Sequence, residues 1–385
     1  MDIAIVKCEN YSEENVSISL NKLLDLVGGL DWVTPGMKII IKANLVTFMK
    51  PDSAGTTHPA LLCELVKILY EKGAKVVVGD SPGGLYTSAF VNKVYSITGM
   101  NDIKQFGGEL NQNFEQKTAI FENGKVLKEF EYTSFLDDAD VIINFCKLKT
   151  HGMMGMSAAT KNLFGTIPGT LKPEYHFKYP NHFDFADMLI DLNEYFKPKL
   201  CIVDAVVGME GNGPTMGKPR HIGALLASNN PYKLDLACAK IIGLTKDNVT
   251  TLESAFKRNL IPSTADELSC NDDLNKYVIK DYDNILVHRS LLFEDKSKLV
   301  GRLITKAMQS VPALEKSACV GCKKCYEICP AKAITMKKNK PVIDRKKCIS
   351  CFCCQEFCPK GAMKVKRPWI AKVLNKSKKN DTKEK

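Results

Sequence analysis

Two cysteine runs constrain this chain more than any other feature. Cys319-Val320-Gly321-Cys322-Lys323-Lys324-Cys325-Tyr326-Glu327-Ile328-Cys329-Pro330 is the first. Cys348-Ile349-Ser350-Cys351-Phe352-Cys353-Cys354-Gln355-Glu356-Phe357-Cys358-Pro359 is the second, and both read C-x2-C-x2-C-x3-C-P. Three thiolates at three-residue intervals wrap one face of an iron–sulfur cube. The fourth sits a helical turn on, and proline turns the chain away. Zinc sites use two C-x2-C pairs or histidines, and no histidine follows His288. Nine of the 15 cysteines lie between Cys319 and Cys358; the other six, Cys8, Cys63, Cys146, Cys201, Cys238 and Cys270, sit singly, mostly in apolar runs. Those six read as small core residues, and a disulfide scaffold is not expected in a chain of this length.

Over Cys319 to Lys366 the chain resembles the bacterial two-cluster ferredoxin module. That resemblance implies two 4Fe–4S clusters, with the fourth cysteine of each run serving the other cluster. One cluster then takes Cys319, Cys322, Cys325 and Cys358, and the other takes Cys348, Cys351, Cys354 and Cys329. Cys353 falls outside the pattern as a spare thiol. Between the runs, two short strands are expected about a turn at Lys338-Asn339, with a third strand after Cys358.

Charge divides the chain at the same place. From Cys319 onward there are nineteen Lys and Arg against five Asp and Glu, a net of +14 within a total of +11, so residues 1–318 carry −3. Positive flanks make a cluster easier to reduce. They also suit an acidic, soluble redox partner. The basic tail, 368–385, lacks a nucleic-acid motif, and no nucleic-acid partner is expected. No window reaches the roughly 18 unbroken apolar residues of a membrane span. The opening residues lack a basic stretch followed by a long apolar run, so no secretory leader and a cytoplasmic location are expected.

Residues 1–292 alternate apolar strands with amphipathic helices. Strands are expected at Ile3–Val6, Met37–Ile41, Lys75–Gly79, Val141–Phe145, Leu200–Val207 and Ile222–Ala227. Helices are expected at Glu14–Val27, Pro59–Tyr70, His182–Tyr195 and Pro231–Ile242. This pattern predicts an α/β fold, a mainly parallel sheet flanked by helices, followed by a small α+β ferredoxin-like two-cluster domain at 317–367. An antiparallel hairpin, Thr118–Tyr132, is expected on the sheet's edge. A connecting helix is expected over 293–316.

Polar clusters fall where strands end, the usual ligand position in open α/β sheets. Lys42, Asn44, Asp80, Ser81, Asn162 and Glu210 are candidates for holding an anionic small molecule. Lys149, His151, Lys161 and His58 are candidates for its chemistry, because Lys and His beside a buried strand are expensive unless solvated or liganded. His58-Pro59 has an alternative role as a helix start. Neither a P-loop nor a G-x-G-x-x-G loop occurs. Lys147-Leu148-Lys149-Thr150-His151-Gly152, Lys161-Asn162-Leu163-Phe164-Gly165 and the stretch from Gly208 to Arg220 resemble the domain-of-unknown-function 362 family over most of residues 35–245. That family is often fused to a ferredoxin module. The resemblance implies the fold and a site but names no reaction. The readings left open are an iron–sulfur oxidoreductase, an electron carrier without its own substrate, and a non-redox enzyme such as an isomerase with structural or sensory clusters.

Overall fold

The computed structural model describes residues 1–285 and 310–366. The chain forms two compact units, Met1–Asn284 and Ile285–Lys385. The first unit begins β1 (Ala4–Lys7), α1 (Glu13–Leu26), β2 (Lys38–Lys42), α2 (Pro59–Glu71), β3 (Lys75–Gly79), α3 (Ser88–Ile97) and β4 (Glu109–Leu110). It continues with β5 (Gln116–Ile120), β6 (Glu129–Thr133), β7 (Val141–His151), β8 (Gly155–Ser157), α4 (Ala159–Asn162), α5 (Lys172–Lys178) and α6 (His182–Phe196). β9 (Leu200–Asn212), β10 (Met216–Ser228), α7 (Pro231–Ile241) and α8 (Thr250–Lys257) complete its regular elements.

Local chemistry sets the helix starts. The Ser12 hydroxyl accepts from Asn15 N ahead of α1, and Asn230 Oδ1 accepts from both Tyr232 N and Lys233 N ahead of α7. Each satisfies donors that the first helical turn leaves orphaned. β2 shows the sheet's two-sided burial. Ile39 and Ile41 enter a core with Leu20, Leu61 and Leu65, whereas Ile40 packs with Phe135 and Leu136. Apolar residues on both faces mark a strand covered by two layers.

The main sheet runs β1-β10-β9-β7-β2-β3-β4, with β8 folded back on β7. β4, β3, β2, β7 and β9 are mutually parallel. β10 is antiparallel to β9, and β1 is antiparallel to β10. The chain steps from β2 outward to β3 and β4. It then returns to lay β7 on the other side of β2 and steps on to β9. The strand order therefore reverses between β2 and β7, and ligands in such sheets bind at that crevice.

The mainly parallel sheet matches the expectation, and several details differ. β5 and β6 pair as foreseen, with Ile120 opposite Glu129, but form their own two-stranded sheet rather than an edge of the main one. β7 does not stop at Phe145. It continues through Lys147 and Lys149 to His151, because its second half pairs with both β8 and β9. β9 and β10 likewise extend into a long hairpin whose turn carries Gly213 to Thr215.

The second unit is a tandem repeat shifted by 29 positions. β11 (Val311–Leu314), α9 (Lys324–Glu327) and β12 (Ile334–Lys337) recur as β13 (Lys340–Ile343), α10 (Cys353–Glu356) and β14 (Met363–Lys366). β11 pairs with β14, and β12 with β13, all antiparallel. Left-handed residues recur at the same spacing, as Gly321 with Ser350, Lys323 with Phe352, and Lys332 with Gly361. Lys338 and Asn339, both left-handed, make the expected turn. Residues 286–309 of the expected connecting helix, and the tail from 367, lie outside the described residues. Val311–Leu314, assigned by sequence to that helix, is a strand because it pairs with Met363–Lys366.

Candidate cluster sites and candidate ligand site

The two cysteine runs close around two separate cavities. The first is lined by Cys319, Cys322, Cys325 and Cys358. The second is lined by Cys348, Cys351, Cys354 and Cys329, with Cys353 beside them. Each cavity thus takes three cysteines from one run and the fourth from the other. Backbone donors repeat across the pseudo-twofold: Ala333 N donates to Cys329 Sγ at 3.3 Å, and Ala362 N to Cys358 Sγ at 3.2 Å. Such donors stabilise thiolate charge. Among the described residues no group of three or more His, Cys, Asp or Glu converges as it would on a single metal ion. Four sulfurs around a cavity, with donors aimed at them, suit a cluster-sized group. Cys353 is buried and also lines the second cavity.

In the first unit, the polar residues meet at the carboxyl ends of β2, β3, β7 and β9. Lys42, the last residue of β2, is fully buried and pairs with Asp80 at 2.6 Å. Its Nζ also donates to Ala43 O and Asn162 O, and Asp80 Oδ2 accepts from Leu45 N. Burial pushes the Lys42 ammonium pKa down, and Asp80 opposes that shift. Gly165 closes over this pair, where a Cβ would lie 2.2 Å from Asp80 Oδ1. Ser81 is buried; its N donates to Gly165 O, and its carbonyl accepts from Lys172 Nζ.

Next along, Lys149 Nζ donates to Asn44 Oδ1 at 2.6 Å and to Gly55 O at 2.8 Å. Asn44 Nδ2 donates to Asn162 Oδ1, and Asn162 Nδ2 donates to Asn144 Oδ1. This amide chain crosses from the β2 end through α4 to β7. Asp235 on α7 pins α4 by accepting from Ala159 N and Thr160 N. Burial raises its carboxyl to about 7.

A third network lies under β9. Asp204 accepts from Lys147 Nζ at 2.7 Å, Tyr11 OH at 2.9 Å and His58 N at 3.0 Å. Burial lowers the Lys147 pKa, opposed by Asp204. The His58 ring stacks on Tyr11 at 3.6 Å. Its Nδ1 accepts from Ala60 N, so His58 caps α2 with Pro59 at the first helical position. Burial lowers its pKa to about 4, against the pull of Asp204. Near pH 7 the ring is neutral, and with Nδ1 accepting, Nε2 carries the hydrogen.

The predicted residues therefore divide. Lys42, Asn44, Asp80, Asn162 and Lys149 join one connected cluster at the switch point. His151 is fully buried at the end of β7, where its Nδ1 accepts from Met153 N and Met154 N and closes the turn to β8. Lys161 lies over the Phe164 ring at 5.5 Å. Glu210 stands apart on the β9–β10 hairpin, accepting from Asp283 N. Lys149 and His151 were placed just after a strand by sequence; they lie on the strand itself. Tyr11, Asn144 and Asp235 lie outside the polar clusters that the sequence marks at strand ends, whereas Lys147 and Asp204 lie within them but carry no assigned role there. Asp204 and Asp235 did leave a signal, since each is a lone acid in an apolar run that needs buried donors.

Residues 39–240 match the family described as "Domain of unknown function (DUF362)", and residues 318–362 match a "4Fe-4S dicluster domain". A thylakoid-associated protein of Synechocystis sp. is 30% identical over 270 residues, 69% of this chain and 81% of that protein. The lactate racemase apoprotein of Thermoanaerobacterium thermosaccharolyticum aligns with a TM-score of 0.38 at 14% identity, over 61% of this chain and 55% of that one. A Thermotoga maritima protein aligns at 0.35 and 13%, over 56% of each. The chain thus spans little more than half of the solved structures it matches. On the family match and the Synechocystis relative together, this chain belongs to the DUF362 family, and it carries a 4Fe–4S domain at its carboxyl end.

Proposed function

We propose that this protein is an iron–sulfur oxidoreductase with two 4Fe–4S clusters and a small-molecule site at the β2–β7 switch point. The observation that carries this reading is the pair of cavities, each lined by three cysteines of one C-x2-C-x2-C-x3-C run and the last cysteine of the other, with Cys353 as a fifth in the second. Cys319, Cys322, Cys325 and Cys358 would hold one cluster. Cys348, Cys351, Cys354 and Cys329 would hold the other. When bound, the clusters supply single-electron transfer. The remaining work falls to the chain's own residues. Lys149 and Asn44, joined by a hydrogen bond at the switch point, would bind and orient an anionic group, with Lys161 adding charge. His58 would serve as a neutral Nε2–H donor rather than an acid, given its low pKa. His151 would hold the β7–β8 turn that aims Lys149. The basic second unit favours an acidic, soluble donor protein. All fifteen cysteines are free of disulfides, which fits a reducing, cytoplasmic setting.

One observation favours a second reading. Lys42, Lys147, Lys149 and Asn144 are each at most 1% exposed and hydrogen-bonded within the protein. Such a cluster also serves as a structural polar core, leaving a pure electron carrier. The two part on one experiment. Anaerobic holoprotein is reduced with dithionite, and its EPR signals are followed on adding fractionated anionic cell metabolites. Reoxidation matched by loss of one metabolite, and abolished by Lys149→Ala, supports the enzyme. Reoxidation only by an acidic protein supports the carrier. Turnover unchanged by Lys149→Ala rejects the proposed site.

A further inference from the structure

The pseudo-twofold makes the two cluster sites comparable position by position, and their surroundings differ in sign. Where the first run has Lys323-Lys324, the second has Phe352-Cys353. Both lysines are exposed, whereas Phe352 and Cys353 are each 2% exposed. Lys323 and Lys360 line the first cavity. Lys340 Nζ sits on Cys319 O at 2.5 Å. Its mate in the repeat is Val311. Among the described residues the second cavity is lined by Pro312, Ile334, Ile343, Ile349 and Phe352 with its cysteines, and by no charged residue. Arg345, Lys346 and Lys347 precede Cys348 but are exposed and are not among the described residues that line this cavity, and Glu327 and Glu356 occupy equivalent positions in the two runs. Burial differs in the same sense. In the first set Cys322 is exposed, Cys319 and Cys325 are half-buried and Cys358 is buried; in the second set Cys348 and Cys329 are half-buried and Cys351 and Cys354 are buried, so only the first set has an exposed cysteine.

Reducing a cluster adds one negative charge. Solvent and nearby ammonium groups stabilise that charge, and an apolar lining does not.

Resting on the two-cluster reading above, we infer that the sites are graded in potential: the one held by Cys319, Cys322, Cys325 and Cys358 is reduced first, and Lys323, Lys340 and Lys360 set the difference. The test is an EPR-monitored redox titration of the full-length holoprotein, made anaerobically, with dithionite as reductant. Two one-electron steps are expected, separated by more than tenfold in equilibrium constant, about 59 mV for one electron. Lys323→Gln/Lys360→Gln should move the upper step downward and leave the lower step in place. A single step, or a lower step that follows the lysines, overturns the grading while the two-cluster reading stands. An iron content of about four per chain with one EPR signal removes both. Because the lysine variants alter exposed side chains, iron content checks that they retain both clusters.

Discussion

Gly165→Ala probes the buried ion pair at the centre of the switch-point cluster. A Cβ at this position would lie 2.2 Å from Asp80 Oδ1, 2.4 Å from Lys42 Nζ and 2.7 Å from Lys42 Cε. Ordinary van der Waals contact is about 3.5 Å or more, so the overlap is about 1 Å at three atoms. Neither partner can retreat without losing other bonds. Lys42 Nζ is held by Ala43 O and Asn162 O, and Asp80 by Leu45 N. Gly165 is itself tied by its carbonyl to Ser81 N. The methyl group therefore separates the pair and strands buried charge, which costs ~3–5 kcal/mol. For a unit of this size that lowers Tm by roughly 6–20 °C. Urea and thermal unfolding followed by far-UV circular dichroism measure it. The same substitution made in Lys42→Ala/Asp80→Ala should cost under about 1 kcal/mol, since no charges remain to strand. A loss below about 1 kcal/mol in the native background refutes the reasoning. So does an equal loss in both backgrounds.

Cys329→Ser should lower iron from about eight to about four per chain, whereas Cys353→Ser should keep about eight; the reverse outcome would reassign the ligands. Asp235 is raised from an ordinary carboxyl value to about 7 in the folded chain. The folded state therefore holds this proton where the unfolded state has lost it, so stability falls as pH rises from about 4 to about 7 and then levels. The span is on the order of 4 kcal/mol. Asp235→Asn should flatten that part of the profile of urea midpoints against pH, and an unchanged slope would assign the effect elsewhere. Asp204→Ala leaves the Lys147 ammonium, the Tyr11 hydroxyl and His58 N without their acceptor and should cost ~3–5 kcal/mol in the same urea assay. Lys147→Met should cost less, because Tyr11, His58 and Val206 N still donate to Asp204. Equal losses would count against this.

The second unit was legible because its chemistry is local. Cysteine spacing, the Lys338-Asn339 turn and the strands beside it all act within a few residues, and the structure places them where the spacing does. Val311–Leu314 was not legible. Its strand exists only because Met363–Lys366 offers a free edge 52 positions later. The α/β unit followed the same rule. β2 and β3 are apolar runs that read as buried strands, and His58-Pro59 reads as a helix start. The hairpin of β5 and β6 was visible in Asn123-Gly124, but which sheet it joins depends on distant neighbours.

The lysines of β7 show what such dependence means. A central parallel strand is normally apolar throughout, so Lys147 and Lys149 look like residues of a loop. They are tolerated because each finds an acceptor on a different neighbour. Lys147 reaches Asp204 on β9, and Lys149 reaches Asn44 just beyond β2. Neither acceptor can be identified from the sequence near the lysines, which lie 57 and 105 positions away. Moving β7 anywhere else in the sheet would leave at least one ammonium group buried without its acceptor, which costs several kcal/mol. The two lysines therefore act as specificity for strand order, fixing β7 between β2 and β9. That placement in turn creates the reversal of strand order at which Lys42, Asn44 and Lys149 converge. The same side chains that mark the candidate site thus help determine that the site exists.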